Sequence, residues 1–201
     1  GRFGPAAWGY WVRQKTNIAD VLAQELGKAA ARQYRVFMAS ATDPYQPLEA
    51  HLSLSRACLQ VLQAQPIAWL VLQTRSVLVA RDFDLLAQMP FATLNVSVET
   101  DLPAVHHRLT RSSVTPARRL ALVRTALEEG IQTQITVSPH LPSSPHFAAT
   151  LAQAVGKRGR VIIDTLLDGD GAGGRRSKRL GMGTLLAEAG FPGWLEHCRE
   201  Q

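Results

Sequence analysis

Along the chain, short runs rich in Val, Ile, Leu and Thr alternate with longer stretches whose apolar positions recur every third or fourth residue. The first pattern suits a strand and the second an amphipathic helix, and their alternation predicts parallel strands joined by crossover helices. Asn17 stands at the head of a helix carrying Ile18, Val21, Leu22 and Leu26, with Gly27 placed to end it. Tyr34–Ser40 reads as the first strand. Pro47 suits the first turn of one helix with Leu48, Leu52, Leu59 and Leu62 on related faces, which Pro66 stops before an apolar run over Ala68–Leu72.

The alternation continues with a short helix over Asp82–Gln88, a strand over Thr93–Val98 and a helix near Ala104–Leu109. Thr115 then caps a helix with Pro116 at its first position and Leu120, Val123 and Leu127 as its buried stripe; Gly130 closes it ahead of a strand over Ile131–Val137. Pro142 and Pro145 precede a helix over Phe147–Val155, and a last strand covers Val161–Asp164. The Gly-rich stretch Asp168–Gly174 lacks the spacing and the Lys-Ser/Thr ending of a phosphate loop, so it reads as a surface connector. Five strands, each followed by a helix, predict an α/β fold, either an open doubly wound sheet or a partial barrel. No glycine fingerprint follows the first strand, which counts against a dinucleotide-binding sheet.

The 201 residues suit one domain over 1–201, with a core over about 15–165 and a Gly/Arg-rich loop and helical tail over 168–201. Hydrophobic residues at 46% and charged residues at 19% argue against a disordered or collagen-like chain. Gln63, Gln65 and Gln73 punctuate the most apolar stretch, so no membrane span is expected. Cys58 and Cys198 are far apart and form neither a disulfide framework nor metal-ligand spacing, which points to a reducing cytoplasm. The chain starts at Gly1 without a charged-then-apolar leader, so its start reads as a cut point with more chain upstream. A net charge of +6 favours polyanions in general. It has two readings, an Arg-rich solvated surface or a nucleic-acid partner, and the same pair applies to Arg175–Arg179.

Candidate chemistry gathers after the first strand. In Ser40-Ala41-Thr42-Asp43-Pro44-Tyr45-Gln46-Pro47-Leu48-Glu49, two hydroxyls, carboxylates, a phenol and an amide share a turn stiffened by prolines. From spacing alone this is either a Pro-rich turn with Asp43 capping a helix or a set of groups presented at the carboxyl edge of the strands, where α/β barrels keep their active sites. His106 and His107 are adjacent, so on a helix they point about 100° apart and cannot chelate one ion; both are expected on the surface. His140, between Pro139 and Leu141 after a strand, lies nearer the carboxyl edge. Trp8, Tyr10 and Trp11 suit either stacking on a ligand or packing under a barrel rim.

The motif Thr42–Pro47 with Glu49 after it, Gln73-Thr74-Arg75-Ser76 followed by Arg81-Asp82, and Val96-Ser97-Val98-Glu99-Thr100 resemble the spore photoproduct lyase-like branch of the radical S-adenosylmethionine superfamily. Ser113–Arg119 and Gly130–Pro142 continue the resemblance, which runs from Lys15 to roughly Pro142. It implies a partial (β/α)6 barrel, present here from its second strand onward, that binds S-adenosylmethionine against a 4Fe-4S cluster held by a Cys-x3-Cys-x2-Cys loop. That loop is absent from this chain, so the chain alone is expected to be inert, and the intact protein to make a 5′-deoxyadenosyl radical that takes hydrogen from an unidentified substrate. By the resemblance, Ser40, Thr42, Arg75, Ser97 and His140 are cofactor-binding positions, and Asp43, Tyr45, Gln46 and Glu99 belong to the motif and pocket. Arg75 replaces the family's usual Lys and can pair with a carboxylate in a bidentate way. Ser40 stands where spore photoproduct lyases keep a hydrogen-donating Cys, and its strong O–H bond makes it a poor donor to a carbon radical. The alternative is a non-catalytic barrel that binds nucleic acid through its basic surface. A missing first strand leaves Tyr34–Ser40 with an unpaired edge that invites pairing with another chain.

Overall fold

The computed structural model describes residues 12–28, 34–39, 42–65, 67–110, 112–165 and 173–200, except for the side chains of 199 and 200. Ser40 and the aromatic residues Trp8, Tyr10 and Trp11 lie outside them. Five strands, β1 (Arg35–Met38), β2 (Trp69–Thr74), β3 (Ala92–Ser97), β4 (Thr133–Val137) and β5 (Arg160–Ile163), form one parallel sheet in the order β1-β2-β3-β4-β5. This order decides between the two architectures that periodicity leaves open. A doubly wound sheet reverses direction at a switch point, whereas here each strand pairs with its successor, as in a barrel wall. The fold is α/β and consistent with a partial barrel. Among the described residues, the outer edge of β1 has no partner strand.

Side-chain alternation gives the sheet two unlike faces. Leu70 and Leu72, Leu94 and Val96, and Ile135 and Val137 turn to one side and are fully buried in a single apolar core. Helices α1 (Ile18–Gly27), α2 (Glu49–Leu52), α3 (Leu54–Ala64) and α4 (Phe83–Leu86), the last led by a 3-10 turn over Val77–Asp82, follow in chain order. The short α5 (Pro103–Val105) runs into a π turn over His106–Thr110, and α6 (Pro116–Glu128) and α7 (Phe147–Val155) come next. Leu26 of α1, Leu59 and Leu62 of α3, Leu86 of α4, Leu120 and Val123 of α6 and Leu151 of α7 supply the helical half of the core. On the opposite face Phe37 and Trp69 are 51% and 41% exposed, while Thr93, Asn95, Ser97 and Thr136 are buried. Across it Thr136 Oγ1 donates to Asn95 Oδ1 (2.6 Å), Asn95 Nδ2 donates to Gln73 Oε1 (2.9 Å), and Trp69 Nε1 donates to Thr93 Oγ1 (3.2 Å).

The helix expected from Pro47 through Leu62 is two. The chain turns at Ser53, in the left-handed region (φ 53°), between α2 and α3. The buried Glu49 carboxylate accepts from the backbone N–H groups of Leu54 (3.0 Å) and Ser55 (2.9 Å), so it satisfies donors at the start of α3 that the break exposes. Past β5, α8 (Arg175–Arg179), α9 (Met182–Glu188) and α10 (Trp194–Glu200) return to the sheet's carboxyl end. Leu186 packs with Val105 and Leu141 in a second cluster, joined by Met182, Phe191, Trp194 and Leu195. Arg108 and Glu188 form an ion pair beside it. In α8, Arg176, Lys178 and Arg179 face solvent. No helix among the described residues is long and apolar enough to cross a membrane.

Candidate functional site at the carboxyl edge

The turn after β1 is built from the inside outwards. Asp43 Oδ1 accepts from Tyr45 N (2.8 Å) and Thr74 Oγ1 (2.7 Å), and Oδ2 accepts from Arg75 N (2.7 Å). A carboxylate in the first loop thus clamps the end of the second strand. Tyr45 is buried, and its hydroxyl donates to Asp82 Oδ2 (2.8 Å). Asp82, fully buried, also takes Arg56 Nη1 (2.9 Å) and both Nε and Nη2 of Arg81 (3.1 Å each). Burial alone would raise the Asp82 pKa, yet the bonds from Arg81, Arg56 and Tyr45 outweigh it and hold the carboxyl below its ordinary range. Burial, reinforced by Asp82, pushes the Tyr45 phenol up, so it stays protonated and donates. Arg81 Nη2 also reaches Glu49 Oε1 (2.9 Å). Asp43, Tyr45 and Glu49 therefore frame the loop, which leaves Thr42 exposed and Gln46 half-buried at its surface.

Beside this frame, Arg75 at the end of β2 donates from Nε to Glu99 Oε1 at 2.5 Å. Its side chain is 41% exposed, and its two terminal nitrogens make no hydrogen bond among the described residues. Glu99 itself is buried, and its other oxygen accepts from Arg119 Nη1 at 2.9 Å. Arg119 is fully buried in the first turns of α6; Nη1 also donates to Ser97 O (2.9 Å) and Nε to Val114 O (3.1 Å). Burial pulls the Arg119 pKa down while Glu99 holds it up. Two buried polar atoms in this cluster have no partner, Ser97 Oγ and Arg119 Nη2. Leu141 N donates to Glu99 O (3.0 Å) and Thr100 Oγ1 to Pro142 O (2.6 Å), which ties the loop after β4 to the end of β3. The ends of β2, β3 and β4 converge on one polar cluster. Guanidinium N–H groups are free at its rim, where they can donate to an anion, and unmatched polar atoms lie beneath.

His140 is half-buried and lies between two rings, 5.3 Å edge-on from Trp194 and 6.3 Å from Phe147 in a stacked arrangement, with Nε2 3.2 Å from Ser143 Oγ. Trp194 Nε1 donates to the His140 carbonyl (3.2 Å), so this residue anchors α10. Burial, with His197 nearby, lowers its pKa. His106, expected on the surface, is buried; only His107 is exposed. The π turn rotates His106 inward, where Nε2 donates to Ser112 O (3.1 Å) and Nδ1 faces Thr110 Oγ1 (2.9 Å). Satisfied ring nitrogens make burial of a neutral imidazole tolerable, which the rule that polar residues are mostly exposed does not anticipate. Burial and the Arg119 charge lower its pKa. Arg119 and Asp82 stand in the quoted motifs but not among the expected site residues. Arg119 had a legible signal: it falls on the stripe of Pro116, Leu120, Val123 and Leu127, where a charge is out of place.

Among the described residues, no group of His, Cys, Asp or Glu is placed to hold a metal ion. Cys58 of α3 and Cys198 of α10 are buried on different helices, and two thiols do not fit a three-thiolate cluster.

An uncharacterized protein of Mycobacterium tuberculosis is 31% identical over 169 residues, 79% of this chain and 49% of its own length. An uncharacterized protein of Methanocaldococcus jannaschii is 27% identical over 135 residues, 67% of this chain and 49% of its own length. One from Acidianus two-tailed virus is 30% identical over 136 residues, 67% of this chain and 44% of its own length. The chain thus spans about half the length of the relatives it matches. No solved structure matches it at a significant level. Residues 6–144, which contain β1 to β4 and the whole polar cluster at their carboxyl ends, match the Radical SAM superfamily, and the chain belongs to that superfamily.

Proposed function

We propose that the chain is the cofactor-binding, carboxyl-terminal part of a radical S-adenosylmethionine enzyme of the spore photoproduct lyase-like kind, a partial (β/α)6 barrel whose cluster-binding loop lies outside it. S-adenosylmethionine bound with a 4Fe-4S cluster supplies radical hydrogen abstraction in this superfamily. The chain's own part is to hold and orient the cofactor. Arg75 pairs with the methionine carboxylate through its free terminal nitrogens, Ser97 Oγ offers a buried hydroxyl to the same end of the molecule, and Thr42, exposed at the lip, accepts from the amino group. Asp43, Tyr45 and Glu49 keep the lip in place, with Gln46 half-buried at its surface, whereas His140 packs between Phe147 and Trp194.

The observation that carries this reading is Arg75, fixed through Nε by Glu99 and through its backbone N–H by Asp43, with its other donors free at the carboxyl edge. Calorimetry of S-adenosylmethionine on this chain and on Arg75→Ala tests it. Loss of one charge-assisted pair should weaken binding roughly tenfold or more. Binding that ignores the substitution overturns the assignment. With the upstream segment present and the cluster reconstituted anaerobically, 5′-deoxyadenosine is the expected product.

A further inference from the structure

Arg119 is a costly residue where it stands. A guanidinium taken fully out of water loses its solvation, and a cation at the amino-terminal end of a helix opposes the helix dipole. Here it is fully buried, within the first turns of α6, with one terminal nitrogen left without a partner. A Leu or Met would continue the apolar stripe of that helix without these penalties. What the Arg does instead is specific. Its Nη1 holds Ser97 O and Glu99 Oε2 together, and its Nε holds Val114 O, so the strand end, the loop before α6 and the Glu99 carboxylate become one unit. Glu99 in turn fixes only Nε of Arg75, the nitrogen farthest from the tip of the fork.

We propose that Arg119 is a positioning residue that aims Arg75 through Glu99. Without it, Glu99 is free to swing and to take the terminal nitrogens of Arg75, a bidentate pairing that would close the fork against the protein and turn it away from the open edge. With Arg119 occupying Oε2, Glu99 has one oxygen left for Arg75, and the fork stays directed outwards. The inference rests on the reading of Arg75 as the carboxylate-binding side chain.

The test uses the whole chain with 15N-labelled arginine, and the Nε–H resonance of Arg75 is identified by its loss in Arg75→Lys. In the wild type this N–H should be protected and shifted by its carboxylate; in Arg119→Met it should move and exchange faster. The companion measurement compares affinity for S-adenosylmethionine and for 5′-methylthioadenosine, which lacks the amino-acid end. The preference for the former should fall at least about fivefold in Arg119→Met, as one charge-assisted contact is lost, while affinity for the latter holds. Should Arg119→Met fail to fold, Arg119→Lys replaces it: a point donor cannot hold two acceptors in one plane, so the Arg75 resonance should again move. An Arg75 resonance unchanged in the folded variant overturns the inference. A moved resonance with no cofactor preference even in the wild type upholds the aiming of Arg75 and instead overturns its assignment to the carboxylate.

Discussion

Asp82, Glu49 and Glu99 are three buried carboxylates, each kept by more than one donor, and between them they turn loop ends into fixed points. His106 and His140 act in the opposite sense. His106 is held neutral by burial and by the Arg119 charge, below its ordinary value of 6.5. Above that pH neither folded nor unfolded chain carries the proton and the stabilisation is complete. As pH falls through 6.5 the unfolded chain takes up a proton that the folded chain refuses, and stability is lost until the folded pKa is reached. His140 adds the same sign. Urea unfolding between about pH 7.5 and 5 should show the midpoint dropping toward acid, with a shallower drop in His106→Gln; an identical slope in that variant would place the dependence elsewhere. Of the residues in this region, Asp43, Arg75, Ser97 and Glu99 stand in the motifs that carry the resemblance, at or after the ends of strands. Asp82 and Arg119 stand in the quoted motifs, and Arg119 interrupts an apolar stripe, but their partners Arg56 and Glu99 lie twenty or more residues away, which periodicity does not reveal.

Among the elements, α6 carries its boundaries in local signals, whereas Asn17 at the head of α1 makes no side-chain cap bond. Thr115 accepts from Arg118 N, Pro116 follows it and Gly130 ends the turn with φ 78°, so the cap, the first turn and the stop of α6 were all written in adjacent residues. The region 47–64 was misread because its leucines fit one helix, while the break is made by Glu49 reaching forward to Leu54 and Ser55. Ser53 holds a left-handed conformation there with an exposed side chain. Such a conformation strains any residue with a Cβ, so Ser53→Gly should stabilise the chain by about 0.5–1 kcal/mol despite the greater freedom of glycine when unfolded. A denaturation midpoint that falls instead would show that Ser53 makes the turn by its side chain. The π turn at His106–Thr110 had no comparable sequence signal, and His106 lies buried at its first position.

At the scale of the molecule, the α/β alternation and its five strands were legible because strand and helix periods differ so plainly, whereas the order β1-β2-β3-β4-β5 was not, since sequence spacing is the same for either winding. That order has a consequence for how the sheet opens. Each strand's backbone ladder depends only on its immediate neighbours, so the sheet has a middle and two ends rather than one seam. β3 is buried at every position and flanked on both sides, whereas β1 and β5 expose alternate or successive residues and have a single neighbour among the described residues. Amide hydrogen exchange should therefore be slowest in Leu94–Ser97, where only unfolding of the whole core releases the protons, and fastest in Arg35–Met38 and Arg160–Ile163, which can detach as separate units. Uniform protection across all five strands would show that the ends do not open separately. With the gradient, Arg75, Glu99 and Arg119 lie in the slow-exchanging centre, so the polar cluster opens only with the core, and the loop after β1 is held to that centre through Asp43 rather than through its own strand.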